Sequence, residues 1–295
     1  MAAPLRARVV AAHRRAVALV LPDGTPVTAT VKGRALRIAV GDEVELERRQ
    51  GTTIVVDIVP RRNLFFRSDA FNEKLLAANL TQVAAVVAPD VGVDHELVER
   101  WSIAAETAQC RFVIFANKSD LPGFAALHAQ LEAFTARGYA VVALCARHDA
   151  TRALPWLEGQ RTLLVGQSGM GKSTLVNALV PGADARTSEV SAALRSGRHT
   201  TTATTLHFLP GSDRESWLVD SPGVKVFGLA HLDPATLADA FVEMRPYLGH
   251  CRFRDCRHDA EPGCALVAAV AAGAIAPYRL ALLHTLRCEA EAAGR

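Results

Sequence analysis

The chain contains no run of eighteen or more apolar residues, which excludes an ordinary membrane-spanning helix. Its longest apolar segment, Cys264 to Ala276, is too short to cross a bilayer and predicts a buried helix. The first residues lack the charged, apolar and cleavage regions of a signal peptide. These absences predict a cytoplasmic protein that does not associate with membranes.

Aromatic side chains are scarce as well. Aromatic residues make up only 6% of the 295 residues, although 50% of the chain is hydrophobic. Much of that apolar content is Ala and Val, so a sizeable core is available but the helices carry few distinctive residues. The length predicts two or three domains rather than one.

Cysteine is sparse and unevenly placed, with three of the six cysteines close together near the C-terminus. Cys251, Cys256, His258 and Cys264 follow the spacing C-x4-C-x-H-x5-C. In a cytosolic chain such a cluster favours metal over disulfides, and three thiolates with one imidazole satisfy tetrahedral Zn²⁺. A site filled by four protein ligands is structural, so we predict one structural zinc; reduced cysteines buried in a small helical domain are the alternative.

Positive charge is concentrated in residues 1–62, where eleven Lys and Arg face six Asp and Glu, although the whole chain has a net charge of only +3. This excess favours a polyanionic partner or a solvated basic face, and charge alone does not separate the two.

Five short β-rich runs separated by turn residues occupy the same segment, residues 1–62. They predict a small barrel of the OB type, a fold that often binds oligonucleotides, with an SH3-like barrel as the alternative.

Beyond the barrel, residues 61–79 are predicted to form a basic connector. From Leu80 onward, strand patterns alternate with helical ones, which is typical of a parallel sheet. The clearest of these strands, Val83 to Val87 and Phe112 to Ala116, flank a predicted helix from Asp94 to Gln109 with Asp94 as its N-cap.

A glycine-rich loop, GQSGMGKS, follows the apolar run Thr162 to Val165 and precedes a helical segment. It fits G-x-x-x-x-G-K-[S/T], whose backbone N–H groups surround the phosphates of a nucleoside triphosphate. Lys172 would contact the β- and γ-phosphates, and the Ser173 hydroxyl would bind Mg²⁺. The predicted nucleotide-binding residues of this loop are Gly166, Gln167, Ser168, Gly169, Met170, Gly171, Lys172, Ser173 and Thr174.

The tetrapeptide Asn117-Lys118-Ser119-Asp120 comes directly after a predicted strand and matches N-K-x-D. The Asp120 carboxylate can accept hydrogen bonds from guanine N1–H and the N2 amino group together, which adenine does not offer. Asn117 would orient the loop and could reach the purine edge, and the stem of Lys118 would lie along the base. Cys145-Ala146 occupies the position where GTPases usually carry Ser-Ala. Guanine nucleotides are therefore predicted, and a P-loop ATPase or kinase is disfavoured.

Two segments after the glycine-rich loop predict a nucleotide-sensing switch. The polar stretch 182–205 contains Gly-Arg-His-Thr-Thr-Thr, and we assign Thr201 to Mg²⁺, with Thr200 and Thr202 as alternatives. A D-x-P-G match follows a strand, where Asp220 would hold Mg²⁺ through water and the Gly223 amide would contact the γ-phosphate.

Hydrolysis needs an oriented water and stabilised charge on the transferring phosphoryl group. The residue after D-x-P-G is Val224, which cannot orient water, so intrinsic turnover is predicted to be slow. His199 is the candidate that positions the water, with Lys172 and Thr201 completing the catalytic set. Arg198 is a weaker candidate for stabilising charge.

The order of these motifs is permuted, because the base-reading loop precedes the phosphate loop, and circular permutation builds the same sheet. In this order the sequence resembles the RsgA/YjeQ family of circularly permuted GTPases. The resemblance covers nearly the whole chain, from the barrel through NKSD, GQSGMGKST, GRHTTT and DSPG to the cysteine-rich tail.

This resemblance implies three domains: an OB-type barrel that binds RNA over 1–62, a permuted α/β P-loop GTPase domain over 63–230, and a mostly α zinc-binding domain over 231–295. It further implies GTP and GDP as ligands with Mg²⁺, the small (30S) ribosomal subunit and its rRNA as partner, and a role in late subunit maturation. We expect a monomer. The alternative is a guanine-nucleotide-gated rRNA-binding assembly module with negligible turnover.

Overall fold

The computed structural model describes residues 5–13, 16–31, 36–69, 72–184, 204–212, 214–221, 229 and 232–293. The chain divides into two compact units. The first comprises Met1–Trp101 and Cys110–Phe227, and the second comprises Ser102–Gln109 and Gly228–Arg295. The boundary predicted near residue 62, between barrel and GTPase domain, lies inside the first unit and stays a prediction.

The N-terminal part of the first unit is a closed five-stranded β-barrel. Its strands run in the order β1-β2-β3-β5-β4 and β4 pairs back with β1, while β3 and β5 are parallel. Side chains alternate between core and surface, so Val17 and Leu19 of β2 and Val44 and Leu46 of β4 point inward. This closure confirms the predicted OB-type barrel. The strands are β1 Leu5–Ala12, β2 Ala16–Val20, β3 Pro26–Val31, β4 Glu43–Arg49 and β5 Thr52–Ile58.

The segment 61–79, predicted as a basic connector, contains regular structure. That segment forms an antiparallel hairpin of β6 Leu64–Asp69 and β7 Asn72–Ala78. The cross-strand ladder satisfies the backbone, and Phe65 and Leu76 become buried. The basic residues at its start obscured this apolar content in the sequence.

The remainder of the first unit is a mainly parallel sheet. The strands β10-β9-β8-β11-β13 run parallel, and β12 is antiparallel at their side. Every residue of β8 is buried, as expected for a strand covered on both faces. The strands are β8 Gln82–Val87, β9 Arg111–Ala116, β10 Ala140–Ala143, β11 Arg161–Val165, β12 Thr205–Phe208 and β13 Trp217–Asp220.

Helices connect these strands as the alternating pattern predicts, with one break. The Asp94 carboxylate accepts from the Leu97 N–H at 3.1 Å, which confirms the predicted N-cap of α1. Between β9 and β10 the helical segment is divided at Leu131 into two short helices. The helices are α1 His95–Thr107, α2 Phe124–Gln130, α3 Glu132–Ala136, α4 Leu154–Leu157 and α5 Lys172–Leu179.

The second unit is mostly helical and contains α6 Ala265–Ala271 and α7 Pro277–Ala293. Arg279 of α7 is 1% exposed; it pairs with Glu243 and lies 4.4 Å from the centre of the Phe241 ring. Burial of this guanidinium is tolerable because an ion pair and an aromatic face both compensate it. Within the described residues, no helix of the protein is both long and apolar enough to cross a membrane.

Candidate nucleotide and metal sites

The predicted nucleotide residues converge because parallel strands end at the same edge of the sheet. Asn117 directly follows β9, Gly166 follows β11, and Asp220 is the last residue of β13. Cys145 comes two residues after β10. Motifs separated by about a hundred residues in sequence therefore lie at one edge of the sheet.

The glycine-rich loop surrounds the ammonium group of its own lysine. Lys172 Nζ donates to the carbonyl oxygens of Gly166 at 2.6 Å and Gln167 at 2.9 Å. Lys172 is buried, and this burial lowers its pKa while the negative charge of Asp220 partly opposes the shift. The Lys172 ammonium group is thus held against the backbone of the glycine-rich loop.

Two glycines of the loop are required by close approach. A Cβ on Gly166 would lie 2.5 Å from the Val86 carbonyl oxygen, and one on Gly171 would lie 2.2 Å from Asn117 Nδ2. Gly171 also has a φ of 97°, in the left-handed region that side chains disfavour. The loop therefore packs directly on the strand ends beside it.

Asn117 joins three loops of the site. Its Nδ2 donates to the Met170 carbonyl oxygen at 2.9 Å, and its Oδ1 accepts from the Ala146 N–H at 2.8 Å. The side chain is 1% exposed. Both ends of the amide are thus engaged within the protein, which supports the predicted role in orienting the loop rather than reading the base. Met170 itself is buried, so its side chain belongs to the core.

Replacing Asn117 with alanine should lower both stability and nucleotide affinity. The change leaves a buried carbonyl and a buried N–H unpaired, which costs about 2–4 kcal/mol in the free energy of unfolding. Thermal unfolding and binding of a fluorescent GDP analogue measure the two effects. Asn177→Ala, which removes an exposed hydrogen bond to Asp184, is the matched control and should change neither value appreciably. Unaltered unfolding and affinity in Asn117→Ala would refute the role.

Sequence reasoning missed Asp90, which pairs with Lys118. Lys118 Nζ donates to both Asp90 oxygens, at 2.8 and 2.6 Å, and this hydrogen bonding lowers the pKa of the Asp90 carboxyl group. Lys118 has a φ of 59°, so the pair also holds a strained backbone. The sequence could have indicated Asp90, because this residue lies three positions after the end of β8, at the same edge of the sheet.

Asp120 is exposed near the same edge of the sheet and is held by a thiol. Cys145 Sγ donates to Asp120 Oδ1 at 3.0 Å, which lowers the pKa of the Asp120 carboxyl group. The Cys145 thiol is buried, and burial together with the carboxylate raises its pKa. Asp120 is therefore an oriented carboxylate with acceptor capacity left for a ligand.

The end of β13 has the features of a magnesium site. Ser173 Oγ donates to Asp220 Oδ2 at 2.8 Å, which brings the two predicted cation-binding residues together. Asp220 Oδ1 is buried, and among the described residues it has no hydrogen-bond partner. A buried carboxylate oxygen beside a hydroxyl suits a hard divalent cation that keeps its waters.

Several predicted residues lie outside the described parts of the chain: His199, Thr201 and Gly223, with Arg198, Thr200, Thr202 and Val224. Ser168, Gly169 and Thr174 are exposed on or beside the glycine-rich loop.

The second unit brings the predicted zinc ligands together. The ligand atoms of Cys251, Cys256, His258 and Cys264 all lie within 4.8 Å of one another. His258 Nδ1 is 3.5 Å from the sulfurs of both Cys251 and Cys264. Three sulfurs and one ring nitrogen in this arrangement fit a closed tetrahedral site for Zn²⁺.

Surrounding groups hold these ligands in place. The Ala265 N–H, at the start of α6, points at Cys251 Sγ at 3.4 Å, and His284 Nε2 lies 2.7 Å from the His258 carbonyl oxygen. Glu261 accepts from the N–H groups of Arg257 and Asp259, which closes the loop between the ligands. Burial raises the pKa of Cys256 to about 12, so metal binding there must displace a proton.

A phosphate loop that follows the Asn117 loop in sequence, on one parallel sheet, places the chain in the class of circularly permuted GTPases. The model of the RsgA GTPase family matches residues 58–230. The chain therefore belongs to the RsgA GTPase family. This family implies a guanine nucleotide and Mg²⁺, and the Cys₃His cluster is compatible with zinc.

Relatives support this over nearly the full length. A protein of Nitrosospira multiformis named "Small ribosomal subunit biogenesis GTPase RsgA" is 43% identical over 286 residues, covering 96% of this chain and 90% of the relative. One of Burkholderia pseudomallei with the same name is 46% identical over 290 residues, covering 96% and 91%.

Solved structures agree on the fold. YjeQ from Thermotoga maritima has a TM-score of 0.74 at 26% identity and covers 99% of this chain and 100% of its own. YloQ, described as a circularly permuted GTPase, has a TM-score of 0.68 at 20% identity and covers 98% and 96%. The likeness to YloQ supports the fold alone.

Proposed function

We propose that this GTPase hydrolyses GTP while bound to the small (30S) ribosomal subunit and assists its late maturation, with turnover stimulated by the subunit. The observation that carries the proposal is the convergence of Asp120, Lys172 and the Ser173–Asp220 pair at one sheet edge, in a chain whose relatives are named for subunit biogenesis. A guanine base, phosphates and a cation would each meet matching chemistry there.

In this proposal each described residue has a distinct task. Asp120 accepts from the guanine base, and the Lys118 stem covers it while Asp90 holds the ammonium group. Lys172 moves from loop carbonyls to phosphate oxygens, and Ser173 and Asp220 would hold Mg²⁺ together with Thr201. Bound Mg²⁺ would neutralise phosphate charge.

The attacking water requires a separate group. His199 would orient this water, because Val224 replaces the glutamine that many GTPases use. Contact with the ribosomal subunit would order the segment around His199, which explains why turnover should depend on the subunit.

Exposed basic side chains support an rRNA partner. Arg252 and Arg254 are exposed between the zinc ligands, so a bound zinc would fix a basic loop. On the barrel, Arg6 and Arg49 are half exposed but already pair with Glu45 and Glu47, so they offer less free charge. This contrast makes the loop of the second unit the stronger candidate for phosphate contacts.

The deciding experiment is turnover of GTP by the purified protein, with and without small ribosomal subunits and with ATP as control. Strong stimulation that is specific to GTP supports the proposal. Tight GTP binding without stimulation would overturn it in favour of the nucleotide-gated assembly module. We expect a complex of one protein with one subunit.

Replacing His199 with alanine should reduce subunit-stimulated turnover by roughly 10²-fold, the contribution of a positioned general base, without weakening nucleotide binding. Single-turnover hydrolysis on the subunit and GDP-analogue titration measure these separately. His128→Ala, which removes an exposed histidine of α2, is the control. Wild-type stimulation in His199→Ala would show that another group orients the water.

A further inference from the structure

A second group of potential metal ligands lies in the first unit, around the thiol of Cys145. The ligand atoms of Asp120, Cys145 and His148 all lie within 4.8 Å of one another. The thiol and the Asp120 carboxylate are already in contact at 3.0 Å. These three residues contribute one sulfur, one ring nitrogen and one carboxylate oxygen.

The chain segment after β10 holds this group by backbone hydrogen bonds. The N–H groups of His148 and Asp149 both donate to the Cys145 carbonyl oxygen, at 3.0 and 2.7 Å. The resulting tight turn returns the His148 side chain to the Cys145 thiol, three residues earlier. Asp120 and His148 are exposed, so the group is open to an ion from solution.

The donor set selects a class of metal. Thiolate and imidazole favour zinc and similar transition metals, whereas Mg²⁺ prefers oxygen ligands alone. Three protein ligands leave a fourth tetrahedral position for water, unlike the four-ligand cluster of the second unit. Binding would release the thiol proton to solvent, as metal binding to cysteine does.

We propose that Asp120, Cys145 and His148 form an inhibitory site for a thiophilic divalent ion such as Zn²⁺, whose occupation excludes guanine. The inference rests on the proposed role of Asp120 in reading the base. A metal bound to Asp120 takes the lone pairs that guanine N1–H and N2–H need. The positive charge of the metal would also repel the partly positive N1–H and N2–H groups of guanine. Guanine nucleotide and metal would therefore compete.

The test uses protein whose Cys₃His cluster has first been filled with one equivalent of Zn²⁺, in excess Mg²⁺. Addition of Co²⁺ should then produce a thiolate-to-cobalt charge-transfer band. Addition of Zn²⁺ instead should weaken binding of a fluorescent GDP analogue by at least about tenfold, the loss that one charge-assisted hydrogen bond represents.

Variants identify the ligands. Cys145→Ser keeps a hydroxyl donor for Asp120 but should lose the cobalt band, and His148→Asn should lose the Zn²⁺ effect while retaining guanine binding. Cys288→Ser, which removes an exposed cysteine of α7, should behave as wild type. An unchanged cobalt band in Cys145→Ser, or Zn²⁺ inhibition that persists in both site variants, would overturn the proposal.

The experiment distinguishes failure of the proposed function from failure of the metal site. A protein that shows no preference for guanine over adenine nucleotides before metal is added contradicts the role of Asp120, and with it the competition. The cobalt band and its loss in Cys145→Ser would still report the metal site itself.

Discussion

An Asp120→Asn variant should bind xanthosine nucleotides in preference to guanosine nucleotides. In the proposed site the carboxylate would accept two hydrogen bonds from guanine, and an amide would turn one acceptor into a donor that faces the N2 amino group. Xanthine carries a carbonyl at that position and so accepts the new donor. Because each charge-assisted hydrogen bond contributes about 1.5–3 kcal/mol, GDP affinity should fall by roughly 10³-fold.

Competition of GDP, XDP and ADP against a fluorescent nucleotide measures this change. Asp149→Asn is the matched control, because Asp149 is an exposed carboxylate two residues beyond Cys145-Ala146-Arg147 and accepts from Thr151. Its base preference should stay that of the wild type. Retained preference for GDP in Asp120→Asn would remove Asp120 from the base site and require another explanation for its contact with Cys145.

If the Cys₃His cluster holds zinc, as its donor set suits, loss of that metal should unfold the second unit. The apparent binding free energy of structural zinc is about 10–16 kcal/mol, whereas a whole domain is stable by only about 5–15 kcal/mol. Among the described residues the unit contains two complete helices, of seven and seventeen residues, which bury Leu266, Leu283 and Leu286, and the four candidate ligands lie in the segment that leads into the first of them. The Cys256→Ser variant should therefore bind no metal in this cluster, and its second unit should no longer unfold cooperatively.

Metal analysis, circular dichroism and limited proteolysis of the purified protein test this expectation. Cys288→Ser removes an exposed cysteine outside the cluster and should keep one zinc and the wild-type digestion pattern. Treatment of the wild type with a strong chelator should reproduce the Cys256→Ser result. Full helicity and resistance to proteolysis without metal would show that packing alone stabilises the unit.

Short sequence motifs predicted most residues of the candidate nucleotide site. The glycine-rich loop and the Asn117 loop were predictable because phosphate and base recognition impose residue types at fixed spacing. The basic connector predicted over residues 61–79 contains a hairpin that the sequence analysis did not specify, in which Phe65 and Leu76 are buried. The division between α2 and α3 at Leu131 is likewise visible only in the backbone of the structure.

Contacts between distant segments could not be read from the chain. Asp90 and Lys118 are ordinary charged residues until parallel strands bring β8 and β9 to one edge. Cys145 is predicted as a nucleotide-binding residue because it occupies the Ser-Ala position of GTPases, but its contact with Asp120 and its position beside His148 depend on the turn after β10.

The sequence by itself therefore determined the class of fold, the permuted order, the phosphate-loop motif and the four candidate metal ligands of the tail, because each is encoded by short-range spacing or by periodicity. The tertiary structure alone decided which side chains meet. It engages both ends of the Asn117 amide, pairs Lys118 with Asp90, and offers one oxygen of Asp220 no hydrogen bond from the part of the chain that the structure describes. Sheet geometry, rather than sequence proximity, sets those contacts, since strand ends far apart in the chain share one edge.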